Sequence, residues 1–168
     1  AVAEFRNDGG GAEQQAEVKI ELPVEAHLPH DYIGSERLRL EMYRRLSEVR
    51  NDEDVAVISA ELTDRYGAPP APVIRLLAVA SFRARCRDLG ITEVTQAGKH
   101  VRFHPAKLPE SRVVRLNRLY PKSLYKAPVD TMLVPRPGLL RDEEMLAWAR
   151  GVMDAVLGDG AADSVAQK

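Results

Sequence analysis

The stretch Glu61–Leu77, which reads ELTDRYGAPPAPVIRLL, contains the end of one helix, a turn and the start of another helix. Gly67 is predicted to end the first helix, because glycine adopts the left-handed backbone conformation at little cost. Three prolines follow at or before the first turn of the next helix, where a missing N–H costs little: Pro69, Pro70 and Pro72. The stretch therefore predicts a fixed joint between two helices. It leaves the carboxylates of Glu61 and Asp64 without an obvious role.

Three consecutive helices are predicted around this joint. Ser35 is the expected N-cap of the first helix, whose apolar residues recur at helical spacing up to an end near Arg50: Leu38, Met42, Leu46 and Val49. Asn51 or Asp52 is expected to cap the second, whose core-facing stripe is Val55, Ile58, Leu62 and Tyr66. The third helix, from Val73 to Leu89, is apolar on most sides, so we expect it to be the central one.

The remaining segments predict a small sheet and further helices. Residues 17–22 alternate polar and apolar side chains, which favours a strand, and residues 91–96 and 100–105 form a candidate β-hairpin. A helix over about 109–119, two strands within 123–127 and 130–135, and a last helix over about 141–157 follow. The predicted fold class is α+β, with three N-terminal helices packed with a small, mostly antiparallel sheet and further helices.

The chain of 168 residues is long enough for one domain with a real core, because 45% of its residues are hydrophobic. We expect residues 1–16 to be the end of a preceding module and a flexible linker, residues 17–158 to fold, and residues 159–168 to be a disordered tail. The net charge of −1 is neither strongly basic, which would suggest nucleic acid as a partner, nor strongly acidic, which would suggest a tail or decoy. Arg75 and Arg83 interrupt the longest apolar stretch, so no membrane span is predicted.

Cysteine usage and the lack of catalytic motifs argue against an enzyme. The single cysteine, Cys86, excludes an intrachain disulfide, which fits a reducing cytoplasm, and a free cysteine on this helix is expected to face the core. Gly98 and Lys99 lack the upstream glycine and following hydroxyl of a phosphate loop, and no GxSxG elbow occurs. We therefore predict no catalytic residue and no cofactor within this chain.

A metal site is considered at HLPHD, where His27, His30 and Asp31 lie close in sequence. The flanking prolines limit how the two imidazoles could converge, and nothing nearby completes a set of four ligands. We therefore predict no metal site.

Basic residues concentrate between Lys99 and Lys126, where the sequence has eight lysines and arginines and one glutamate, Glu110. Arg112, Arg115 and Arg118 recur every three residues and so share a helix face. A nucleic-acid-binding accessory module that uses this segment is one hypothesis. A solvated basic face is the simpler explanation, because few stacking aromatic residues accompany the cations.

The second predicted helix carries a stripe of opposite charge outside its core arc. Asp54, Val57, Glu61 and Asp64 are spaced i, i+3, i+7 and i+10, which places an apolar side chain within a row of carboxylates. An ordinary solvated face, with Glu61 paired to Arg65 at i+4, would explain this pattern. An interaction surface for a partner that presents arginines around an apolar patch would explain it as well.

Three motifs in order resemble the C-terminal domain of bacterial transcription-repair coupling factors, over about residues 17–157: HLPHDYIGSERLRLEMYRRL, ELTDRYGAPPAPVIRLL and CRDLGITEV. The resemblance implies a parent protein similar to superfamily-2 helicases, which binds stalled RNA polymerase, moves along duplex DNA and recruits the repair protein UvrA. ATP and Mg would bind to the parent's motor, whose phosphate-binding motifs are absent here. The residues AVAEF at the start of the chain would then end the motor module.

The same resemblance implies a regulatory domain over residues 17–158. In the resting parent this domain would pack on the N-terminal UvrB-like module, mask the UvrA-binding surface and restrain the motor. The motif ELTDR places Glu61 and Asp64 opposite arginines of that module, and the helical stripe extends the predicted contact to Asp54 and Val57. The resemblance thus predicts a non-catalytic autoinhibitory domain.

Overall fold

A computed structural model describes residues 17–158. The expectations for residues 1–16 and 159–168 lie outside the described residues. The helices are α1 (Glu36–Ser47), α2 (Asp52–Tyr66), α3 (Ala71–Leu89), α4 (Glu110–Leu119) and α5 (Asp142–Leu157). The strands are β1 (Lys19–Glu21), β2 (Glu93–Ala97), β3 (His100–His104), β4 (Leu124–Lys126) and β5 (Thr131–Pro135).

The five strands form one mixed sheet in the order β1-β2-β3-β5-β4. The predicted hairpin is confirmed, since β2 and β3 pair antiparallel with Val94 opposite Phe103 and Gly98 at φ 64° in the turn. β3 with β5 and β5 with β4 also pair antiparallel, and only β1 runs parallel to its neighbour β2. The predicted α+β class with a mostly antiparallel sheet is therefore confirmed.

Two hydrophobic cores lie side by side, and α3 belongs to both. Its first half contributes Val73 and Leu77 to a helical core with α1 and α2. Its second half contributes Phe82 and Cys86 to a core formed with α4, α5 and one face of the sheet. The prediction that α3 is the central helix is confirmed, and its nearly all-round apolarity follows from having apolar neighbours on more than one side.

The joint between α2 and α3 is built as the sequence predicts, with one difference. Gly67 ends α2 at φ 92° and ψ −177°, which is not the left-handed helical conformation but an extended one that is essentially restricted to glycine. The Tyr32 hydroxyl donates its hydrogen bond to the carbonyl oxygen of Gly67 at 2.7 Å, and the carbonyl oxygen of Leu62 lies 3.2 Å from the same hydroxyl. These contacts hold the turn against the N-terminal loop, and Pro70 then caps α3.

The caps of the first two helices also agree with the sequence. The Ser35 side chain accepts a hydrogen bond from the Leu38 N–H, and Asn51 caps α2. α1 ends at Ser47, three residues before the predicted end. Arg87 satisfies carbonyl oxygens that the end of α1 leaves unpaired, because its guanidinium donates to those of Ser47 and Val49 at 2.9 and 3.0 Å. None of the helices formed by residues 17–158 has the length and apolarity needed to cross a lipid bilayer.

Candidate interaction face on the second helix

The inner side of α2 is fixed by burial against the helical core. Ile58 and Leu62 are 4% and 0% exposed, and Val55 and Tyr66 are partly buried beside them. The predicted stripe lies on the other side of the helix, where Val57 remains 63% exposed. Val57 therefore lies outside the fold's own core and is accessible on the outer side of α2.

Glu61 already has two partners within the chain. Its Oε2 atom accepts hydrogen bonds from Arg45 Nη1 at 2.9 Å and from Arg65 Nη1 at 3.3 Å. The hydrogen bond from Arg45 is the main reason that the pKa of the Glu61 carboxyl is lowered, with Arg65 adding to the effect. The predicted pair with Arg65 is confirmed. The pair with Arg45 could not be seen in the sequence, because it joins two helices.

Asp54 has a structural role at the start of α2. Its carboxylate accepts a hydrogen bond from the Arg50 N–H at 2.9 Å, while its own N–H donates to the Asn51 side chain at 2.8 Å. This reciprocal arrangement resembles a capping box and satisfies amides that a helix start leaves unpaired. The four stripe residues therefore differ: Asp54 caps the helix, Glu61 is paired, and Val57 and Asp64 are exposed.

The arginines of α4 do not form a common outward surface. Arg112 Nη1 donates to the Val156 carbonyl oxygen at 3.2 Å, and Arg115 Nε donates to the Ala155 carbonyl oxygen at 2.6 Å. Both carbonyls belong to the last turn of α5, where cations are favourable because the helix dipole is negative there. Of the three predicted residues, only Arg118 is exposed.

Cys86 and the histidines considered as metal ligands are the remaining candidate residues for chemistry. Cys86 is fully buried, its Sγ lies 3.7 Å from Met153 Sδ, and burial raises the pKa of the thiol to about 12. The prediction that Cys86 faces the core is confirmed. Among residues 17–158 no three metal-ligating side chains come together, so His27, His30 and Asp31 do not form such a group.

A groove of about 350 Å³ lies at the C-terminal end of α3, beside the loop between α1 and α2. Arg50, Arg87, Asp88 and Thr92 supply its polar lining, and no histidine, cysteine or serine is among the lining residues. Arg87 is engaged with the end of α1, as described above.

The comparisons with known proteins concern the family and the fold of the chain. The family profile for the TRCF domain matches residues 22–115. Transcription-repair-coupling factors of Mycobacterium bovis and Mycobacterium tuberculosis are each 49% identical over 155 residues, which covers 88% of this chain and 13% of theirs. That of Staphylococcus aureus is 31% identical over 104 residues, which covers 62% of this chain and 9% of the relative.

The fold also matches a solved structure described as the crystal structure of the C-terminal domain of transcription-repair coupling factor. The TM-score is 0.70 at 18% identity, with 89% of this chain and 94% of the other covered, so the two share a fold. The chain spans about 13% of the length of its mycobacterial relatives. The chain belongs to the TRCF domain family of the transcription-repair-coupling factors.

Proposed function

We propose that this chain is a non-catalytic autoinhibitory domain that packs through the outer side of α2 onto the N-terminal UvrB-like module of the same protein. In that position it masks UvrA binding and restrains the ATP-driven motor. The observation that carries the proposal is the 63% exposure of Val57, beside Glu61 and Asp64, on a helix whose inner side packs against the helical core through Ile58 and Leu62. RNA polymerase and duplex DNA are partners of the parent protein and reach this domain only indirectly.

The composition of the outer side suits a protein partner with arginines around an apolar patch. Interface centres are apolar and their rims are polar and charged. The outer side of α2 has the same arrangement, because Val57 lies between acidic residues. An ordinary solvated face also accommodates the carboxylates and an exposed valine among them. Single exposed apolar residues are common on protein surfaces, so the family membership adds the necessary second argument.

The energetics suit a contact that opens again. An exposed ion pair contributes about 0–1 kcal/mol, whereas close charge pairs within an interface couple by about 1.5–7 kcal/mol. A bias of a few kcal/mol is enough to keep an open form minor. Charge pairs at Asp64 and Glu61 would therefore hold a closed state that polymerase or DNA binding can still displace.

Charge reversal on α2 tests the proposal. In the intact parent protein, Glu61→Arg with Asp64→Arg should increase UvrA binding at least about tenfold, since one interfacial pair alone is worth about 1.5 kcal/mol or more. The matched control is Glu110→Arg with Glu144→Arg, which makes the same charge change at two exposed sites outside α2. UvrA binding that rises equally in both variants, or in neither, contradicts the proposal.

The alternative function, a nucleic-acid-binding accessory module that uses residues 99–126, has a separate test. Labelled duplex DNA is titrated with this chain at two salt concentrations, because contacts to phosphates weaken steeply as salt rises. Since Arg112 and Arg115 bind the carbonyls of α5, the cations left for such contacts are Arg118 and the exposed lysines. Absence of salt-dependent binding eliminates this alternative.

A further inference from the structure

The Glu61 carboxylate has its counter-charges within the domain itself. Arg45 and Arg65 both donate to the same atom, Glu61 Oε2, at 2.9 and 3.3 Å. Glu41, one turn before Arg45 on α1, also interacts electrostatically with Arg45, and Asp64 lies one turn beyond Glu61 on α2. A basic partner therefore meets a carboxylate at Glu61 that is already compensated, and a carboxylate at Asp64 that is exposed.

We infer that Arg45 competes with the partner's basic side chain for Glu61 and so limits the strength of the closed state. This inference rests on the proposed function and concerns the same face of α2. The partner gains the Glu61 carboxylate only by sharing it with a cation that the domain supplies. Asp64 is then the main uncompensated charge of the face, and its loss should weaken the closed state more than the loss of Glu61.

Arg45 is better placed for this role than Arg65. Arg45 reaches Glu61 from α1 with the shorter bond, and its side chain is 38% exposed, so it is held at the edge of the face. Arg65 has a second interaction, because its guanidinium lies 5.2 Å from the centre of the Tyr66 ring. Arg65 can therefore leave Glu61 and keep a favourable contact with the ring.

The preceding residue of α1 offers a matched control. Arg44 is exposed and carries the same charge as Arg45, and its side chain is not bonded to Glu61. Arg44→Met and Arg45→Met remove the same charge from the same helix and keep a long apolar stem. A difference between the two variants therefore reports the bond to Glu61 rather than the overall charge of the domain.

The experiment measures UvrA binding by the intact parent protein, in which tighter closure lowers the apparent affinity in proportion to the open fraction. Arg45→Met should lower UvrA affinity about two- to fivefold, the range set by exposed ion pairs, while Arg44→Met leaves it unchanged. The effect of Arg45→Met should vanish when Glu61→Gln is also present. Unfolding temperatures of the variants establish that each domain is folded.

The outcomes separate this inference from the proposed function. If Arg45→Met raises UvrA affinity or leaves it unchanged while Asp64→Asn raises it, the closed state is real but Arg45 does not compete for Glu61. If neither Asp64→Asn nor the double reversal on α2 changes UvrA affinity, the proposed function fails and the inference falls with it. An NMR titration of Glu61 tests the competition by itself, because Arg45→Met should raise the pKa of that carboxyl.

Discussion

α2 and α4 both carry charges of one sign at helical spacing, yet the fold uses the two rows differently. On α4, Arg112 and Arg115 turn to the neighbouring α5 and bind the carbonyls of its last turn. On α2, Val57 and Asp64 remain exposed, and Glu61 is held by two arginines at the edge of the outer side. A charged stripe by itself therefore does not indicate an interface; what matters is which of its side chains the fold leaves exposed.

The first test of this comparison removes an arginine from α4. Arg115→Ala should lower the free energy of unfolding of this chain by about 1–3 kcal/mol, because a charged donor to the Ala155 carbonyl is lost. Arg118→Ala, on the same helix but exposed, should change it by less than about 0.5 kcal/mol. Urea denaturation followed by circular dichroism gives both values. Equal effects of the two substitutions would show that the bonds to α5 do not distinguish these arginines.

The second test compares two carboxylates of the same stripe. Asp54→Ala should cost about 1 kcal/mol of stability, since the Arg50 N–H loses its acceptor at the start of α2. Asp64→Ala should leave stability within about 0.5 kcal/mol of the parent and act only on the proposed contact. Denaturant midpoints of the two variants measure the difference. A stability loss on replacing Asp64 would give that residue a structural role within the domain.

The smallest expected effect is a dependence of stability on pH at Glu61. The pKa of Glu61 is lowered in the folded domain, chiefly by the hydrogen bond from Arg45. Its contribution to stability is therefore complete above the ordinary glutamate pKa of about 4.3 and is lost as the pH falls through the lower folded value. Glu61→Gln should make the loss of stability with acid shallower in this range, as measured by thermal unfolding at successive pH values. If the variant and the parent lost stability equally as the pH falls, the bonds from the two arginines to Glu61 would contribute nothing to folding.

Much of the helical half is predictable because its determinants are local. Ser35 and Asn51 act within three residues of their own positions, and the core stripe of α2 follows from helical periodicity. The exposed position of Val57 follows from the same periodicity. Sequence alone is sufficient for features such as these, in which the interacting groups are at most a few turns apart.

The contacts that decide the roles of charged residues are not local. Arg45 meets Glu61 across 16 residues, and Arg115 meets Ala155 across 40. Periodicity places these side chains on a helix face, but only the packing of the helices determines which carbonyl or carboxylate lies within reach. The sequence therefore predicts the acidic and basic stripes correctly as patterns, and it does not predict that two arginines of the basic one are used inside the fold.

The ATPase rate of the intact parent protein tests the central claim most directly, with reversals on the two helices compared side by side. Glu61→Arg with Asp64→Arg on α2 should raise the rate in the absence of polymerase, because the closed state is lost. Arg118→Glu on α4 should leave the rate unchanged. An unchanged rate in the α2 variant, or an equal rise in both variants, would contradict the assignment of the autoinhibitory contact to the outer side of α2.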